Sequence, residues 1–414
     1  MLELFVLLLF ALTLFNYFYL KDYKYPPFLF SMIWFVMLAS YMLILRFGTI
    51  EIYDVSYDAL IIFFSGAVFF SFGGASIYVI LKKSRKQYSY AYRFKINNVL
   101  DNIIYVLPVV FLPLYIRRAI EISKSTGNDN FFIGLRWGLN YGDQTYGYLK
   151  YIAAFSVINA LYRMLVLTNI KQLNYSYKMK AYSSLAITTV YAVLNTGRTG
   201  ILFVLLSLLG FSAVNKSLSI KKIFLATGGF LMVFLIFAIF LNKGGSSDSS
   251  FLENLSSVSQ VVLVYMFGSF PAFDHFIHSH YEIVYGENTF RLIYVFLEKI
   301  SLINHSPALL VQEFVEVPFQ TNVYTIYEYY VSDFGAYGAM LIIYFIGFIH
   351  TYLYLNLNRG LMYKFLYAIL LYPLCFSFFE DQYFSILSQW IQYFIFGLFT
   401  FRFVFKINRI KEVL

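Results

Sequence analysis

The chain is divided into apolar runs, most of them close to the length of one bilayer crossing. A helical crossing needs roughly 20 predominantly apolar residues. Such runs fall at Leu2–Leu20, Pro27–Leu45, Ala59–Leu81, Val99–Ile116, Tyr148–Leu167, Ala181–Leu194, Ile201–Val214, Ile223–Leu241, Gly335–Leu355, Phe365–Phe379 and Ser385–Phe405. Backbone amides inside lipid must be satisfied within the segment, which leaves helices or closed barrels. Runs this long and continuous predict an all-α polytopic membrane protein with about 11 transmembrane helices. Only 13% of residues are charged and mean hydropathy is +0.67, against about 25% charged in soluble domains. Leu2–Leu20 is preceded by Glu3 instead of lysines and is followed by no small-residue cleavage site, so it is expected to be a retained span and not a signal peptide. The lone Cys375 sits within an apolar run and offers no disulfide framework.

Lysine and arginine at span ends set orientation. The densest short loop, Lys82–Lys95, carries Lys82, Lys83, Arg85, Lys86, Arg93 and Lys95. With that loop inside, alternation also places Lys21/Lys24, Lys171/Lys178/Lys180, Lys216/Lys221/Lys222, Arg359/Lys364 and Lys406/Arg409/Lys411 inside. Together these are 19 of the 31 basic residues. The expected topology has the N-terminus out and the C-terminus in. The formal charge of +9 is then mostly a topology signal facing anionic lipid, with no nucleic-acid partner. Three parts follow: residues 1–242 as transmembrane helices 1–8, residues 243–333 as a long outer loop with short helices, and residues 334–414 as helices 9–11 and a cytoplasmic tail.

The outer loop is the unusual part. It holds four of the five histidines, ten of the 22 acidic residues and one arginine, Arg291. It opens on a Gly/Ser linker at Gly244–Ser250. It then passes through the apolar stretch Val258–Phe273, too short to span cleanly and expected to be re-entrant or surface-lying. Thr289–Ile303 has the helical spacing of an amphipathic helix. No inverted repeat of the transporter kind is evident.

Candidate chemistry gathers at a few points. Arg198 lies in Asn195-Thr-Gly-Arg-Thr-Gly200 between two short runs. An arginine at membrane depth is costly, ~2.5–3.5 kcal/mol or more, so it either binds an anion such as a lipid phosphate or caps the hairpin and snorkels to headgroups. Arg291 follows Gly286-Glu287-Asn288-Thr289-Phe290 and offers either a salt bridge among the acids or a fork for phosphate. Asn322, Tyr324 and Thr325 suit sugar hydroxyls. Asp333, where loop becomes span, is either a helix cap or a general base. Glu287 and the loop histidines, His305 among them, are further proton acceptors. Asp274-His275-Phe-Ile-His278-Ser-His280 matches no zinc spacing, and Glu380-Asp381 reads by default as a solvated turn. No Walker sequence and no Asp-x-Asp pair is present, so no metal and no cofactor is expected.

The layout, with Thr196-Gly-Arg198, Gly286-x-x-Thr289-Phe290-Arg291, and Asn322-x-x-Thr325 leading to Asp333-Phe-Gly335-x-x-Gly338, resembles the bacterial oligosaccharide repeat-unit polymerases, the Wzy group. The resemblance implies a fold like the C-type membrane glycosyltransferases and residence in the bacterial cytoplasmic (inner) membrane. The implied activity joins undecaprenyl-pyrophosphate-linked oligosaccharide units into a surface polysaccharide, with membrane lipid, a flippase and a chain-length regulator as partners. On that reading Arg198 and Arg291 stabilise the pyrophosphate leaving group and Asp333 takes the acceptor proton. Some members carry an Arg-x10-Gly pattern. Arg136 to Gly147 fits it, although about one chance match is expected from 12 arginines and 23 glycines, whereas the same spacing from Arg291 reaches Leu302. An O-antigen ligase, with the same donor, and a lipid-linked oligosaccharide flippase or transporter are the alternatives.

Overall fold

The structure, a computed structural model, describes the chain except residues 49–51, 83–88, 143, 171–172, 216–227, 230–231, 233–262, 280, 305–311, 319 and 413–414. Most of the expected span Ile223–Leu241, the linker after Gly244, His280 and His305 lie outside the described residues, as do residues 258–262 of the expected re-entrant stretch Val258–Phe273, whose remainder is described and helical for the most part. In chain order the elements are α1 (Leu2–Leu20), α2 (Pro26–Phe47), α3 (Tyr57–Lys82), β1 (Ser89–Ile96), α4 (Asn98–Ser125), α5 (Phe131–Asn140), α6 (Leu149–Asn169), α7 (Tyr175–Leu194), α8 (Arg198–Asn215), α9 (Ser269–His278) and α10 (Arg291–Lys299). They continue with β2 (Val315–Glu316), β3 (Gln320–Thr321), α11 (Tyr327–Leu355), α12 (Leu361–Cys375), α13 (Leu387–Phe399) and β4 (Phe405–Glu412). Helices α1, α2, α3, α4, α6 and α11 are long and apolar enough to cross a membrane, and α8 and α12 are shorter apolar helices.

Local chemistry explains the boundaries. Pro26 and Pro27 open α2, where a missing N–H costs nothing. The Asn97, Asn130 and Asn174 side chains accept from the first free amides of α4, α5 and α7. Capping by Asn174 makes α7 start before the expected Ala181. The mostly helical architecture has one amendment. β1 pairs antiparallel with β4 from Ser89↔Glu412 to Ile96↔Phe405, where a basic loop and a cytoplasmic tail are expected. The period-2 alternation of Tyr90, Tyr92, Phe94 and Ile96 is the strand signal, masked by the basic residues between.

Two compact units form. The first comprises Met1–Lys86, Ser259–Leu357 and Leu370–Leu387, and the second Gln87–Val258, Asn358–Ile369 and Ser388–Leu414.

In the first unit α3 and α11 pack backbone to backbone. A Cβ at Gly73 would collide with the Tyr344 carbonyl, and one at Gly347 with the Phe70 carbonyl. Small residues permit this approach in membrane helices, where van der Waals contact carries association. Gly347→Leu is therefore expected to destabilise the unit by about 1–3 kcal/mol through overpacking, read as a lower midpoint of thermal unfolding in detergent. An unchanged midpoint would show that the close approach is dispensable.

Helix α11 is not straight. Gly335 has φ 67 and ψ 179, outside the helical region. Tyr327 donates its hydroxyl to the Phe63 carbonyl at 3.4 Å, while Gly347 abuts Phe70. Tyr327 and Gly347 would be about 30 Å apart along a straight helix, yet their α3 partners are only about 10 Å apart. The segment before Gly335 therefore folds back alongside α3. Tyr327 lies in an aromatic cluster with Trp34, Phe63 and Phe273. Phe270 of α9 packs on Trp34 and Tyr41.

In the second unit the buried Arg163 of α6 joins α4 and α7. Its Nη1 meets Asp101 Oδ1 at 2.7 Å, its Nη2 the Asp101 carbonyl at 2.9 Å, and its Nε Asn159 Oδ1 at 3.0 Å. Lys180 Nζ reaches Asp101 Oδ2 at 3.0 Å. Lys364 Nζ of α12 donates to Asn169 at 2.7 Å and Asn215 at 2.9 Å. The C-termini of α6 and α8 thus meet the start of α12.

Candidate functional site

Three segments of the first unit converge: the loop Gly286–Arg291, the folded-back stretch Tyr324–Gly335, and the turn Phe376–Ile386 between α12 and α13. The loop is fastened by Asp333, which is fully buried. Its Oδ1 accepts from the Asn288 amide N–H at 3.2 Å and from Asn288 Nδ2 at 3.0 Å, and its Oδ2 from the Thr289 N–H at 2.6 Å. Asn288 Nδ2 also donates to Ser332 Oγ at 3.1 Å, and the Val284 N–H to the Ser332 carbonyl at 3.3 Å. Phe290 packs on Phe334 and on Phe384 with ring centroids 6.1 and 5.8 Å apart. Gly286 has φ +97, and a Cβ there would press on Phe290 and Phe334. Both motif glycines, 286 and 335, thus occupy conformations that L side chains rarely adopt.

The third segment is tied in by backbone and side chain. Ile326 N–H donates to the Ser377 carbonyl at 2.9 Å. Tyr330 donates its hydroxyl to Asp381 Oδ1 at 2.7 Å. Asp381, 2% exposed, also accepts from the backbone N–H groups of Tyr383, Phe384 and Ser385, each at 2.9 Å. The default reading of Glu380-Asp381 as a solvated turn is corrected: Asp381 organises a buried turn. Tyr383 Oη lies 2.8 Å from His350 Nε2 of α11.

The predicted residues fall as follows. Arg291 opens α10 and is partly exposed, three residues after the fastened Asn288. Glu287 and Asn322 are partly buried. Thr325 is buried, and its Oγ1 accepts from the Tyr327 N–H at 3.5 Å, a contact that supports the start of α11. Tyr324 donates to the Glu313 carbonyl at 3.0 Å. Burial, then the charges of Glu328 and Glu313, push its phenol up to about 12, so it stays a hydrogen-bond donor. Arg136, partly exposed on α5, and Arg198, the first residue of α8, belong to the second unit. The Arg198 side chain and His305 lie outside the described residues. His278 approaches Asp274 at 3.6 Å and Asp58 at 3.8 Å. No group of three His, Cys, Asp or Glu side chains suited to a metal ion occurs among the described residues.

Sequence reasoning passed over Glu328. It stands in Thr325-Ile-Tyr-Glu328, the spacing of a capping box, in which the glutamate would return to the backbone of the threonine. In the structure it is 6% exposed and no hydrogen bond reaches its carboxylate among the described residues. Asp333 and Asp381 are near enough for their charges to act on it.

The amphipathic helix expected over Thr289–Ile303 forms as α10, and Ile293, Phe296 and Ile300 lie exposed at i, i+3, i+7 spacing. Such a face fits the headgroup boundary of a bilayer.

No protein-family model matches the chain, and no solved structure matches it. It is 26% identical over 219 residues to the O-antigen polymerase of Shigella dysenteriae, an alignment covering 52% of this chain and 54% of that protein. The match thus spans about half the length of that relative. This similarity supports the resemblance to the Wzy group: the chain is a distant relative of a curated O-antigen polymerase.

Proposed function

We propose that the chain is a metal-independent glycosyltransferase that joins lipid-diphosphate-linked oligosaccharide units on the outer face of the bacterial cytoplasmic membrane. The observation that carries this reading is the fastening of the Arg291 loop onto the buried, folded-back segment by the Asp333 carboxylate. A glycosyl donor on a lipid diphosphate brings its own leaving group. The protein then has to hold two sugars, neutralise the departing charge and accept one proton. An arginine fork matches phosphate oxygens. Arg291, on a helix whose apolar face suits the headgroup layer, is the first candidate for that charge, and Arg198 is the second. Asn322 and Tyr324 border the folded-back stretch and suit sugar hydroxyls.

The test is complementation of a strain lacking the gene. Wild type is expected to restore a ladder of long surface glycans. Arg291→Ala and Arg198→Ala are each expected to lower polymer formation about 100- to 1000-fold, the usual cost of losing one donor to a developing anion. A normal ladder from either variant removes that arginine from the mechanism.

The folded-back segment also suits a transporter, since transporters build sites from interrupted helices. The same strain separates the two readings. Glycans capped by single repeat units mean a lost polymerase, and absence of any external unit means a lost transporter.

A further inference from the structure

A carboxylate buried without partners is expensive. Burying an unpaired polar group costs on the order of 1–3 kcal/mol, and more when it is charged. Buried polar groups are nearly always satisfied, so each exception asks for a cause. Two exceptions flank Asp333. One is Glu328, 6% exposed and reached by no hydrogen bond among the described residues. The other is the hydroxyl of Thr289, which is fully buried and has no partner among the described residues. The Thr289 backbone N–H is itself held by Asp333 at 2.6 Å. The neighbouring carboxylates are in the opposite state. Asp333 already accepts three hydrogen bonds and Asp381 four. Their lone pairs are used to hold backbone in place.

From this contrast we propose that Glu328, and not Asp333, is the catalytic base for the acceptor hydroxyl, with Thr289 donating a hydrogen bond to the oxygen of that same hydroxyl. An alcohol has the chemistry that both groups lack: its O–H donates to an acceptor and its oxygen accepts from a donor. Asp333 becomes a positioning residue that acts through the loop. The inference rests on the polymerase reading above and deepens it.

The acceptor O–H bond breaks and its proton passes to the Glu328 carboxylate. The freed oxygen pair forms a bond to the anomeric carbon of the donor sugar. The bond from that carbon to the diphosphate oxygen breaks, and its electron pair leaves with the lipid diphosphate. Glu328 then returns the proton to water.

The experiment is complementation of the deletion strain with Glu328→Gln, Glu328→Asp and Thr289→Val, with glycan polymer scored per molecule of protein in the membrane. Amide exchange at Asn288 and Thr289 in the detergent-solubilised protein reports whether the loop stays fastened. Glu328→Gln is expected to lose at least about 100-fold in polymer formation, the usual contribution of a general base, with exchange at Asn288 and Thr289 unchanged. Glu328→Asp, which keeps a carboxylate one methylene back, is expected to fall between the two. Thr289→Val is expected to make polymerisation more dependent on acceptor supply while chains still form.

A wild-type ladder from Glu328→Gln overturns the assignment. So does equal loss in Glu328→Gln and Glu328→Asp together with faster exchange at Asn288 and Thr289, because that pattern describes a packing residue. Should Glu328→Gln not reach the membrane, Glu328→Asp decides alone: partial activity with a protected loop supports the base, and inactivity overturns it. Failure of the wild type to restore the ladder would instead strike the polymerase reading itself.

Discussion

Replacing Arg163 by methionine is expected to destabilise the second unit by about 3–5 kcal/mol, the usual cost of leaving one member of a buried ion pair without its partner. Arg163 and Asp101 have side chains 1% and 2% exposed and are 2.7 Å apart. The guanidinium also binds the Asp101 carbonyl and Asn159, and lies over the rings of Tyr105 and Tyr177. One side chain thus ties α4, α6 and α7 together. Lys180 remains near Asp101 in the variant but is partly solvated, so it replaces only part of the lost interaction. The check is unfolding of the detergent-solubilised protein. The double variant Asp101→Leu/Arg163→Met should recover most of the loss, because a well-packed apolar pair is often as stable as the ion pair it replaces. Equal stability of Arg163→Met and wild type would sink the idea of a clamp. In function the pair is expected to be silent except through folding. It lies near Lys180, close to the start of α7, whereas Arg198 follows the far end of that helix.

Asp333→Asn is expected to release the Arg291 loop without unfolding the first unit. The aspartate accepts on both oxygens, two donors on Oδ1 and one on Oδ2. Asparagine has one oxygen, so its amide must face either Thr289 N–H or the Asn288 donors, donor against donor. Hydrogen bonds to a charged group are worth about 1.5–3 kcal/mol each. Losing one or two should therefore raise amide exchange at Asn288 and Thr289 by roughly 10- to 1000-fold. Polymer length should shorten in parallel, because Arg291 lies next in the chain. Unchanged protection of those two amides would mean that Phe290, packed between Phe334 and Phe384, holds the loop alone. In that case Asp333 has another task.

The crossing segments were largely legible in the sequence. α1 occupies the expected Leu2–Leu20, and α3, α6 and α8 begin and end within a few residues of their apolar runs. Departures have local causes. α7 reaches back to Tyr175 because Asn174 caps it. α12 stops at Cys375, just after Pro373, where the run suggests a helix to Phe379. Gly335 was legible as the start of a span, but its reversal of the chain was not. A glycine in a motif is compatible with packing, capping or a turn, and only its φ of 67 selects the turn.

The residues of the candidate site divide along the same line. The Arg291 loop and the Asp333-Phe-Gly335 stretch stand out in the sequence because a lone arginine among acids and paired glycines are compositional facts. Their mutual contact is not compositional. Asp333 meets its loop partners across 44 and 45 residues, and Tyr330 meets Asp381 across 51. Apolar length and charge distribution are one-dimensional quantities, so the sequence alone determined that this chain is built of membrane-crossing helices and which segments are polar. Whether a given carboxylate is a tie, a turn organiser or an unpartnered acid depends on which donors reach it in space. That was decided by the fold-back at Gly335, which carries Glu328 into a buried environment where, among the described residues, no donor reaches its carboxylate.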